Sequence, residues 1–81
     1  MATRAENERK YPNWIEQPNG GRLYWVEVPG RQGWKARYIK IVNSEETTLS
    51  FRQEIYNEAA ELVEVHEKYP KDSGHRRLKE E

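Results

Sequence analysis

Eighty-one residues limit the chain to one domain, close to the size at which a single core barely suffices. Only 14 residues are Leu, Ile, Val or Phe, which points towards disorder, but zero net charge with three Trp and five Tyr argues for a folded, aromatic-rich core. The lack of cysteine excludes disulfides and thiolate metal sites, no apolar run nears the ~20 residues of a membrane span, and "MATRAENERK" lacks a signal's apolar centre, so a soluble cytoplasmic protein is expected.

Residues 1–10 are polar without periodicity and read as a flexible N-terminal segment. A single small β-rich domain is expected over 11–78, with 79–81 as a flexible C-terminus. "YPNWIEQPNGG" (11–21) holds two prolines and a Gly-Gly pair, so it reads as irregular chain and turns, anchored by Trp14 and Ile15. Two β-rich runs follow, 22–28 and 34–43, joined by "PGRQG" with its turn dipeptide Pro29-Gly30. They predict a β-hairpin. Alternation puts Tyr24, Val26 and Val28 on one face of the first strand. In the second, Trp34, Ala36, Tyr38 and Val42 oppose Lys35, Arg37, Ile39 and Ile41.

Two readings compete beyond the polar turn 43–47. As a helix, Phe51, Ile55, Ala59, Leu62, His66 and Tyr69 form an amphipathic stripe that Pro70 would end. As strands, 47–56 and 62–69 pair through "NEAAE", with Val63, Val65 and Tyr69 inward. Thr47, Thr48 and Leu49 favour the strands; Ala59 and Ala60, poor turn residues with no glycine for a positive φ, oppose them. The preferred fold is mainly β: a small four-stranded antiparallel meander of 22–28, 34–43, 47–56 and 62–69 with flexible termini. The alternative is α+β, a three-stranded antiparallel sheet with one C-terminal helix over 51–69.

Charge is unevenly spread: residues 22–40 balance at +4, residues 45–67 at −6 and residues 68–81 at +2. Opposite charges facing each other across paired strands account for this more simply than a patch for an anionic partner. The run "GWKARYIK" (33–40) suggests nucleic-acid binding through Lys35, Arg37 and Lys40, with Arg76 and Arg77 in support. Alternation, however, separates Lys35 and Arg37 from the rings of Trp34 and Tyr38, whereas cations and stacking rings need one accessible face.

In "LVEVHEKYP" a strand would set Glu64, His66 and Lys68 side by side. With His75 from the next loop, that is the equipment of a metal-independent ribonuclease: a base, an acid and a cation for the phosphorane charge. Solvent-facing strands commonly carry the same residues, and no catalysis is the plainer expectation. His66 and His75 with Asp72 or Glu64 match no ligand spacing, and Lys68, Arg76 and Arg77 would repel a cation, so no metal or cofactor is expected. Asp72-Ser73-Gly74 has tight-turn chemistry, with Asp72 capping its own backbone and Gly74 at positive φ. The expected function is a non-enzymatic binding or regulatory module. Its expected partner is a protein, reached through a sheet face or edge strand, and homodimerisation through that edge is possible. Nucleic acid is the next candidate.

Overall fold

The computed structural model describes residues 2–72 and 74–77, with backbone alone for 75–77. One short helix, α1 (Arg4–Lys10), precedes β1 (Asn13–Glu16), β2 (Arg22–Pro29), β3 (Lys35–Val42), β4 (Thr48–Tyr56), β5 (Leu62–Tyr69) and β6 (Gly74–Arg77). Each strand pairs antiparallel with the next, giving one open sheet in the order β1-β2-β3-β4-β5-β6. The mainly β class is thus right, but the four-stranded meander gains a short strand on either side. The helix over 51–69 is replaced by β4 and β5. No helix among the described residues is long and apolar enough to cross a membrane.

The turns show how a chain with few turn glycines makes this sheet. At Gln17, Asn43 and Asn57 the same pattern recurs: the residue donates its N–H to the carbonyl four positions on and accepts from the amide three positions on. The third residue after each takes a left-handed conformation: Gly20 (φ 85°), Glu46 (φ 64°) and Ala60 (φ 62°). That corrects the objection to "NEAAE" as a turn. Asn57 Oδ1 accepts from the amides of Ala59 and Glu61, both at 3.0 Å, and those bonds help offset the ~1–2 kcal/mol that an L-residue loses there. Asn43 does the same for Glu45 and Thr47. In the β2–β3 hairpin the tight turn lies at Gln32-Gly33, both at positive φ, and not at Pro29-Gly30. Proline cannot adopt a positive φ, so Pro29 stays in β2 opposite Lys35.

Cross-strand register fixes the two faces. One face carries Trp14, Arg22, Tyr24, Val26, Tyr38, Lys40, Val42, Phe51, Gln53, Glu64 and His66; the other carries Ile15, Leu23, Trp25, Arg37, Ile39, Ile41, Arg52, Glu54 and Val65. The main cluster lies on the first face, where Tyr24 (0% exposed) and Val42 pack with Tyr11, flanked by Val26, Tyr38 and Phe51; Ile39 is buried on the other. A register shift between Phe51 and Arg52 skips Lys68, so Tyr69 pairs with Phe51 while Val65 pairs with Glu54. Val65 and Tyr69 therefore do not share a face as plain alternation requires; the bulge turns Tyr69 over.

Gly21 has a steric role. A Cβ there would meet the Val42 carbonyl at 2.3 Å, so the β1–β2 turn can lie against the end of β3 only with glycine at this position.

Candidate nucleic-acid interface

Helix α1 contains no large apolar residue, and polar bonds dock it. Thr3 and Glu6 form a capping box that starts it, legible in the sequence as Thr-x-x-Glu although the segment lacks periodicity. Asn7, 1% exposed, turns its amide nitrogen to Glu46 Oε2 at 2.7 Å and its oxygen to Lys40 Nζ at 2.9 Å. Glu46 also accepts from Tyr24 Oη at 2.9 Å and Arg4 Nε at 2.9 Å. Burial opposes ionisation of Glu46, but the bonds from Asn7, Arg4 and Tyr24 outweigh it and hold the carboxyl below its usual range. Arg22 adds Glu8 at 2.6 Å and Glu16 at 2.7 Å, tying α1 and β1 to β2.

Docking of α1 completes a groove of about 440 Å³ lined by Lys10, Tyr11, Lys40, Thr47, Thr48, Phe51 and Tyr69. Lys40 Nζ is drawn below its usual pKa first by burial and then by the neighbouring Lys10 ammonium. Beside the groove, Lys68 Nζ rests 5.5 Å from the Tyr38 ring centroid and 5.8 Å from that of Phe51, and those two rings stack at 6.3 Å and 18°. Tyr69 is 47% exposed at the rim. Three lysines thus stand around the exposed Tyr69 ring and the half-buried Phe51 ring on one face, a combination that single-stranded nucleic-acid platforms use, while Tyr11 belongs to the core.

No family model, curated protein or solved structure matches the chain. Its chemistry must be read from the geometry.

The residues expected to bind nucleic acid divide between the faces. Arg37 donates to Glu27 from Nε at 3.1 Å and from Nη2, and its guanidinium lies 5.1 Å over the Tyr56 ring. Lys35 Nζ stands 3.9 Å from the same carboxylate. Glu27 is held below its usual pKa mainly by the Arg37 bond, and the local positive excess is largely spent within the sheet. Lys40 alone of the three lies at the groove. The side chains of Arg76 and Arg77 lie outside the described residues; their backbones pair with Val65 and Glu64. Lys10, Tyr11, Phe51 and Tyr69 were not expected in a site. Lys10 and Tyr11 lay in or beside the stretch read as mobile, where only the capping box signalled structure.

Of the proposed catalytic set, Glu64 and His66 lie on the groove's face, and Lys68 reaches it over the rings of Tyr38 and Phe51. His66 Nε2 is 2.6 Å from Asp72 Oδ1, the oxygen that also accepts the Gly74 amide at 2.9 Å. Gly74 takes φ 70°, and Tyr69-Pro70 is a cis peptide. Asp72 is held below its usual pKa by the Gly74 amide and then by His66. The side chain of His75 lies outside the described residues, but its backbone pairs directly with His66. Among the described residues, no three His, Asp or Glu side chains are grouped to hold a metal ion.

Proposed function

We propose that the chain is a small binding module whose α1–β4 groove takes single-stranded RNA or DNA. One observation carries this reading: Lys10 and Lys40 line the same groove as Tyr11, Phe51 and Tyr69, with Lys68 over the adjoining rings. Phosphates would lie along the lysines and bases against the exposed Tyr69 ring and the open edge of the half-buried Phe51, without sequence-specific readout. Three lysines give modest, salt-sensitive affinity, with a slope of log affinity against log salt of about −2.

An amide NMR titration with a short single-stranded RNA, at low and moderate salt, tests this. Shifts should gather at Lys10, Tyr11, Lys40, Phe51 and Tyr69 and fade as salt rises. Shifts confined to Lys35 and Arg37, or none at low salt, would reject the groove as the site.

A second reading draws on the ladder pair of His66 with His75 and on the Asp72 contact that orients the His66 ring. In it, one imidazole takes the 2′-hydroxyl proton and the other protonates the leaving 5′-oxygen, with His66 first releasing Asp72 from Nε2 because its Nδ1 is buried. RNA breakdown without added metal, lost in His66→Ala, would favour it; intact RNA after prolonged incubation would discard it.

A further inference from the structure

We infer that β1 is a self-pairing edge, through which two copies of this chain join their sheets about a two-fold axis passing beside Ile15. Among the described residues, β1 pairs with β2 alone and its other side bears no strand. The β1–β2 turn sets the phase of the ladder. Gln17 donates its N–H to the Gly21 carbonyl at 2.9 Å, and antiparallel alternation then makes Ile15 with Leu23, and Asn13 with Trp25, the pairs bonded to β2. The backbone N–H and C=O of Trp14 and Glu16 consequently point outward from the sheet edge. Pro12 and Pro18, at the next outward positions on either side, have no N–H to offer. The open edge is thus two residues long, flanked by two stops, and symmetric about Ile15.

That symmetry selects the occupant. When β1 meets an antiparallel copy of itself with Ile15 opposite Ile15, Trp14 of each copy exchanges both backbone bonds with Glu16 of the other, four bonds in all. Ile15 then falls in the closer, non-hydrogen-bonded type of pair. It is 55% exposed, the highest among the described large hydrophobic residues, and its cross-strand neighbours Leu23 and Ile41 continue one aliphatic row. Pairing would join two such rows end to end: Ile41, Leu23, Ile15, then Ile15, Leu23 and Ile41 of the second copy.

On the opposite face Glu16 of the second copy falls opposite Trp14; Arg22, 5.1 Å over that ring, already holds Glu8 and its own chain's Glu16, so the selection rests on the backbone pairs and the aliphatic row. An unrelated strand would have to supply both an aliphatic side chain and two outward backbone pairs centred on it; the chain already carries them. With only four bonds and one apolar row, the association is weak and would be populated at high protein concentration.

The test is translational diffusion and sedimentation of the full chain from micromolar to millimolar concentration, with isotope-filtered NOE spectra of a mixed labelled and unlabelled sample. The expected result is an apparent mass rising from 9.7 kDa towards twice that, with an intermolecular Hα–Hα contact at Ile15. Ile15→Lys, an exposed change that sets two cations face to face on the axis, should abolish the rise, whereas Ile15→Val should keep it. A monomer at every concentration would overturn the proposal and leave the edge to some other chain. A dimer indifferent to Ile15→Lys, with its intermolecular contacts elsewhere, would overturn it too.

Discussion

Arg37 and Lys40 stand three residues apart on β3 and meet opposite fates. Arg37 faces the side away from α1, where Glu27 and the Tyr56 ring occupy its guanidinium. Lys40 faces α1, where its ammonium is hydrogen-bonded to the neutral Asn7 oxygen and repelled by Lys10, while Glu46 and Glu6 attract it more weakly. Both count equally in the net charge of the segment. A cation already satisfied by a carboxylate gains little from a phosphate, whereas one held close to another cation beside a groove gains a good deal. The availability of charge, and not its amount, separates the two faces.

The sharpest way to break the comparison is to release α1. Glu46→Gln removes the buried carboxylate that accepts from Arg4, Asn7 and Tyr24, and should cost about 2–3 kcal/mol in urea unfolding. Amide exchange in α1 should accelerate far more than in β3. The same group sets a pH limit. Its folded pKa is depressed below 4.5, so the stability it contributes is full above that value and lost as pH falls through the folded pKa. Acid should therefore loosen α1 in the native chain, and Glu46→Gln should flatten that dependence.

On the binding side, Lys40→Ala should weaken single-stranded RNA affinity about tenfold, equivalent to about 1.4 kcal/mol, and reduce the magnitude of the salt slope by about 0.7. Arg37→Ala, as the control on the other face, should change affinity less than about twofold. Equal losses from the two would erase the distinction between the faces. A smaller effect is expected at Ala60, whose φ of 62° a glycine would relieve: Ala60→Gly should raise stability by about 1 kcal/mol in thermal or urea unfolding. Smallest of all, loss of the exposed Glu27–Arg37 pair in Arg37→Ala should cost about 0.5 kcal/mol. A double-mutant cycle with Glu27→Ala isolates that pairing.

Much of the sheet was legible because alternation is local. Tyr24, Val26, Tyr38, Val42 and Phe51 share the core side as period two requires, and Asp72 caps Gly74 as the turn chemistry suggested. The failures share one cause. Ala60 adopts a backbone conformation that its residue type disfavours, held by Asn57. Residues 13–16 lack a long β run, yet pair with β2 because the turn at 17–21 returns the chain alongside it. The groove was not legible at all. Lys10, Lys40 and Tyr69 are 30 and 29 residues apart in order, and no local pattern joins them.

The sequence by itself determined the mainly β class, the β2–β3 hairpin with the side of its strands that carries the core rings, and the neutral balance of charge. Those follow from residue-to-residue periodicity and turn chemistry, which act over a few positions. Tertiary structure alone decided where α1 docks, which lysines gather at the groove, and which way Tyr69 points after the bulge. Those depend on bonds between residues dozens of positions apart, such as Asn7 to Glu46, and on a one-residue register shift, and neither leaves a period in the sequence to read.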